Sequence, residues 1–98
     1  MDMAISVNRV PIRLTDERWH HIIDGHVDLF NYRDDVLHVI EKPEAIYRGR
    51  RGSLIAVRNY GKRGVLAVFY REVSRYDGFV ITARFLSEGP GGEKIWPR

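Results

Sequence analysis

The stretch Val65–Leu86, VLAVFYREVSRYDGFVITARFL, limits what this chain can fold into more than any other. Val65–Val73 and Phe79–Leu86 are runs rich in β-branched and aromatic residues. Between them, Ser74-Arg75-Tyr76-Asp77-Gly78 carries the Asp-Gly signal of a hairpin turn. Both runs are apolar at nearly every position instead of alternating, the pattern of central strands covered on both faces. The polar side chains inside them, Tyr70, Arg71, Glu72, Thr82 and Arg84, are therefore the ones to account for.

A chain of 98 residues suffices for one domain around one core. We expect an ordered part over residues 10–87, about the span of the periodic segments, and a Gly/Pro-rich tail over 88–98. The absence of cysteine excludes disulfides and thiolate metal sites. Met1–Val10 lacks an apolar signal core, and no apolar run approaches the ~18 residues of a membrane span. The expectation is a soluble cytoplasmic domain.

The net charge of +3 is unevenly spread. Arg48, Arg50, Arg51, Arg58, Lys62, Arg63, Arg71 and Arg75 face only Glu72 between Ile46 and Arg75, and the remainder is net acidic. Seven of these eight cations are arginine, which favours bidentate phosphate contact. The asymmetry points to a polyanion surface, with Arg48, Arg50, Arg51, Lys62 and Arg63 as candidate RNA contacts. The plainer alternative is a set of solvated loops that happen to carry arginine.

Val10–Leu14 reads as extended, and Pro11 argues for an edge strand or an arm. Thr15 is a helix N-cap, with Asp16 and Glu17 well placed in the first turn. Trp19, Ile22, Ile23 and His26 follow at helical spacing, and Gly25 is the stop. Asn31 caps a second helix, Tyr32–Glu41, whose buried stripe is Val36, Val39 and Ile40, before Lys42-Pro43 ends it. Short strands follow at Ala45–Arg48 and Ser53–Tyr60, with basic turns at Gly49–Gly52 and Gly61–Gly64. The tail after Glu88 is too rich in Gly and Pro for regular structure, and Ile95 and Trp96 either dock back or stay disordered. This order predicts an α+β fold, with two N-terminal helices packed on one face of a four-stranded antiparallel sheet.

Turn lengths suggest a register: Val73 opposite Phe79, hence Tyr70 opposite Thr82, and Tyr60 opposite Val65, hence Ile55 opposite Tyr70. One face then holds Leu54, Ala56, Ala67, Phe69, Phe79, Ile81, Ala83 and Phe85 under the helices. The other carries Ile55, Val57, Val68, Tyr70, Glu72, Val80, Thr82 and Arg84, an apolar floor with converging polar groups. A slip of one residue would exchange the two sets.

Among the histidines, His26 can titrate near neutral pH as an acid or base, or it simply packs at the helix end. His20 and His21 project away from the apolar stripe, and His38 reads as a surface residue. Asp24 with His20 makes half a metal site without a third ligand, so neither metal nor cofactor is expected. On the sheet, Thr82 and Tyr70 could orient a phosphate. Arg84, with Arg58 or Arg48, could neutralise charge on a pentavalent phosphate. Tyr47, Tyr60 and Tyr70 could stack on unpaired bases.

The pattern Leu14-Thr15-Asp16-Glu17-Arg18-Trp19-His20-His21-Ile22, then His26, Lys42-Pro43-Glu44 and Phe79-Val80-Ile81-Thr82-Ala83, resembles the small nuclease-like domains of the barnase–EndoU–colicin–RelE superfamily, in its phage-associated and uncharacterised bacterial branches. The resemblance spans Ile12–Phe85. Val27 stands where that pattern has proline, and Lys42 where it has asparagine. The resemblance implies a metal-independent endoribonuclease that cleaves RNA by 2′-hydroxyl attack, as the toxin of a toxin–antitoxin pair. His21 and His26 then match the two histidines, and Thr82 the strand threonine. It also implies RNA, free or ribosome-bound, as substrate, and a neutralising protein partner. His26, His21, Thr82, Arg84, Arg58 and Tyr70 are the candidate catalytic set. The alternative is a non-catalytic RNA-binding or protein-interaction module on the same scaffold.

Overall fold

Thr15 starts the first helix as its sequence suggests: its hydroxyl accepts the Arg18 N–H at 3.1 Å, and Asp16 and Glu17 occupy the first turn. The computed structural model describes residues 1–98. Strands β1 (Asp2–Ile5) and β2 (Pro11–Leu14) precede helix α1 (Asp16–Gly25), and a short 3₁₀ turn leads into α2 (Arg33–Glu41). Strands β3 (Ala45–Arg48), β4 (Leu54–Asn59), β5 (Val65–Ser74), β6 (Asp77–Leu86) and β7 (Lys94–Trp96) follow. No helix is long and apolar enough to cross a membrane.

The sheet is not the four-stranded antiparallel one expected from the sequence. All the strands join one seven-stranded sheet in the order β1-β2-β6-β5-β4-β3-β7, and it is mixed, because β2 runs parallel to β6. Two strands also precede the helices. Strand β2 is therefore interior, despite Pro11. Proline is tolerated because it is the first residue of the strand, and pairing to β6 uses Ile12 and Arg13 only. At the outer edge, the Ile5 N–H donates to the Glu41 carboxylate at 3.4 Å, which blunts the free edge of β1.

Trp19 and Ile22 of α1, and Val36, Val39 and Ile40 of α2, share one core with Ala4, Ile12, Leu14, Ile46, Ala56, Leu66, Val68, Tyr70, Val80 and Ala83. Both helices thus cover one face of the sheet, α1 over β6 and α2 over β4, β5 and β1.

The register differs from expectation by one residue between β4 and β5 and over Val65–Phe69 of the β5–β6 pair, and by two from Tyr70 to Glu72, for local reasons. The β5–β6 turn is Arg75-Tyr76, with Ser74 opposite Asp77, so Asp77-Gly78 lies within β6. Gly78 is needed there for space. A Cβ would fall 2.6 Å from both the Arg71 carbonyl oxygen and Ile12 Cδ1, where β2 packs close to the hairpin. On the other side, Asn59 rather than Tyr60 pairs with Val65. These slips turn Val68 and Tyr70 toward the helices and leave Ala67 and Phe69 on the other face. For the end of β6 the two slips cancel, with Phe69 opposite Thr82 and Ala67 opposite Arg84. A bulge at Ile81 then sets Val80 opposite Tyr70, so Val80, expected on the binding face, is buried in the core. Thr82 and Arg84 therefore share a face with Ile55 and Phe69.

Candidate functional site: the arginine groove on the uncovered sheet face

The face without helices is floored by Ile55, Val57 and Ala67, with Tyr47, Val65, Phe69 and Leu86 packed around them. It is not left bare. To reach the far edge, the chain leaves β6 and crosses β5, β4 and β3 as a strap, Ser87–Glu93, before β7 pairs with β3. Gly91 and Gly92 each adopt φ 78°, a left-handed conformation that glycine takes without strain. The Gly/Pro composition read as structureless is what lets this crossing lie close to the sheet.

Between strap and sheet runs a groove of about 680 Å³, lined by Arg48, Arg50, Arg84, Ser53, Ile55 and Phe69, with Gly49 and the strap residues Pro90, Gly91 and Gly92. It continues past the same Ile55, Phe69 and Arg84 into a recess of about 350 Å³ walled by Leu86, Ser87, Glu88 and Gly89. Three guanidinium-bearing chains thus line one groove over an apolar floor. Arg84 lies 5.2 Å over the Phe69 ring, so the aromatic face helps hold the cation in place. The Nε of Arg48 donates to Glu93 at 2.9 Å. Arg50 and Arg84 have no carboxylate within ion-pairing distance. The Ser53 hydroxyl donates to the Arg50 carbonyl at 2.7 Å, which folds the basic turn back on itself.

The other expected site residues lie elsewhere. Arg51 follows Arg50 in the same turn, exposed, at φ 54°. Lys62 and Arg63 sit in the turn at the opposite end of the six-residue strand β4, about 20 Å away at ~3.3 Å per residue. Arg63 stacks 5.6 Å over Tyr32, on the helix side. Arg58 donates to the Lys42 carbonyl and lies 4.0 Å from Glu44, so it pins the chain after α2 and does not reach the groove. The single basic surface expected over the middle third is in fact two clusters at opposite ends of β4.

Tyr70 is the sharpest correction. Expected beside Thr82 on the binding face, it is 0% exposed in the core beneath the helices. Its hydroxyl has no hydrogen-bond partner, and burial, with the nearby Glu72 carboxylate, pushes its pKa up. Tyr60 is also occupied. Its hydroxyl donates to Asp35 at 2.7 Å, and burial together with that bond pushes its pKa up to about 12. Of the tyrosines considered for base stacking, only Tyr47 is on the groove face.

The histidines do not join the groove. His26 is the C-cap of α1, half-buried, with its N–H donating to the Ile22 carbonyl at 3.0 Å. His21 is exposed and lines a shallow cleft of about 210 Å³ with Thr15, Glu17 and Arg18. A neighbouring cleft shares Thr15 and Arg18 and adds Arg13, Phe79 and Val80. Because α1 packs on the covered face of the sheet, His26 is separated from Thr82, Arg84 and the groove by the sheet itself. His20 and His38 are exposed.

Ser53, Phe69 and the strap also belong to the site and are not among the residues expected from the sequence. The signal available for the strap was the pair Ile95 and Trp96 beyond a Gly/Pro segment, which marks a crossover ending in a strand. Comparisons of the chain with protein-family models, with curated proteins and with solved structures find no match.

Proposed function

We propose that this chain is a single-stranded RNA-binding module whose binding surface is the arginine groove on the uncovered face of the sheet. The observation that carries the reading is the convergence of Arg48, Arg50 and Arg84 over an apolar floor, with two of the three guanidiniums unpaired. Guanidiniums meet phosphate oxygens bidentately and present a flat face on which a base can stack. An acidic neutralising protein would compete for the same cations.

Equilibrium binding of a labelled single-stranded RNA tests this. With about two phosphate charges neutralised by the two unpaired guanidiniums, the slope of log affinity against log salt should be about −1.4. Affinity should then fall about sevenfold between ~50 and ~200 mM salt. A duplex of the same length should bind more weakly, because its bases cannot reach the groove. Absence of binding at low salt, or binding indifferent to salt, would refute the reading.

The endoribonuclease reading has one observation in its favour: Glu17, Arg18 and His21 stand side by side around a cleft. A carboxylate, an imidazole and a guanidinium are groups that general acid–base catalysis of phosphate transesterification uses. On that reading His21, rather than His26, is the catalytic histidine. Incubation of RNA with a chelator would yield 2′,3′-cyclic phosphate ends, and His21→Ala would lower the rate ~10²–10⁴-fold. Intact RNA after incubation, free and on ribosomes, leaves the binding module alone standing.

A further inference from the structure

We infer that the groove seats the end of an RNA strand, with a terminal phosphomonoester held between Arg50 and Arg84. This deepens the RNA-binding reading and rests on it. The first reason is charge. Arg48 is already engaged by Glu93, through its Nε at 2.9 Å and through its backbone N–H to the Glu93 carbonyl at 2.8 Å. That leaves two guanidiniums without a carboxylate partner at one groove. A phosphomonoester carries about −1.5 to −2 at neutral pH, which matches two cations better than the single charge of a backbone diester.

The second reason is shape. The strap walls one side of the groove, so a strand running through would have to pass over or under it, whereas a strand end enters from the open side. The adjoining recess contains Glu88, whose carboxylate opposes a second phosphate there. A volume of about 680 Å³ suits one nucleotide-sized occupant. The third reason is the donor supply. The amides of Gly91 and Gly92, in the groove wall, donate to no backbone carbonyl. The Arg84 guanidinium, held over Phe69, leaves its outer face for the terminal base.

The test uses one single-stranded RNA in three forms: 5′-phosphorylated, 3′-phosphorylated, and with hydroxyls at both ends. Adenosine monophosphate and inorganic phosphate serve as competitors. One or both phosphorylated forms should bind roughly tenfold tighter than the hydroxyl-ended form, as charge-assisted bonds to the added charge imply. Arg50→Gln and Arg84→Gln should each abolish that advantage, and Lys62→Gln should leave it unchanged. Equal affinity for all three forms overturns end recognition while leaving the RNA-binding reading intact. Adenosine monophosphate binding as tightly as the phosphorylated RNA also overturns it, in favour of a free-nucleotide site. If no form binds, both readings fall.

Discussion

Tyr70→Ala is expected to destabilise the domain by about 3–5 kcal/mol, whereas Tyr70→Phe should leave it as stable as the native chain or slightly more so. Tyr70 is the largest fully buried side chain and sits at the centre of the core, among Val68, Val80 and the residues of α1 and α2. Removing the ring leaves a cavity that the sheet cannot collapse to fill. The hydroxyl, by contrast, is buried without a partner, so removing it relieves a desolvation cost of roughly 1–3 kcal/mol. A stability of 5–15 kcal/mol is typical of such a domain, so the alanine variant would lose a large share of it. Urea denaturation of both variants checks the signs. A phenylalanine variant that loses stability and RNA affinity together would restore Tyr70 to the site and contradict the register described above.

The second large effect concerns binding. Replacing Arg48, Arg50 and Arg84 together with glutamine should weaken single-stranded RNA binding about 100-fold at low salt and bring the salt slope close to zero. Arg50 and Arg84 should account for most of the loss, because Arg48 already shares its charge with Glu93. The comparison variant replaces Arg58, Lys62 and Arg63, an equal number of charges at the other end of β4. It should stay within about threefold of the native affinity, since it changes only the long-range field. The three groove residues are on the protein surface or at its rim, so unfolding is not expected, and an unchanged urea midpoint verifies this. Equal losses in the two variants would mean that total charge, not the groove, governs binding.

Why some of this was legible in the sequence and some was not follows from the range of the interactions involved. Thr15-Asp16-Glu17 and the spacing of Val36, Val39 and Ile40 act within a turn or two of helix, and both helices form where those residues indicate. Strands β1 and β7 have only four and three residues. Strand β1 pairs with its sequence neighbour β2, which is itself placed by its parallel pairing to the distant β6, and β7 gains its pairing from β3 across a strap. Gly78 resembles a turn residue locally, but its role is to let β2 approach, a tertiary requirement with no local mark. The Ile81 bulge is likewise invisible in a strand pattern. The slips on the two sides of β5 cancel at the end of β6, which is why Thr82 and Arg84 lie on the expected face while Tyr70 and Phe69 are exchanged. The bulge itself carries Val80 into the core. For the site, the cluster Arg48, Arg50 and Arg51 was legible as a basic turn, and Arg84 as a cation inside an apolar strand. Phe69 was not, because its face depends on the register. His26 was drawn into the candidate site by its chemistry, but its place at the end of α1 puts it behind the sheet.

The most direct test of the groove as the binding surface is an amide and side-chain chemical-shift titration of the labelled protein with single-stranded RNA. Shifts should concentrate at Arg50, Ser53, Ile55, Phe69, Arg84, Gly91 and Gly92, with Val36, Val39, His38, Lys62 and Arg63 unmoved. Shifts centred on the helices or on the Gly61–Gly64 turn, with Phe69 and Arg84 unperturbed, would contradict binding at the groove.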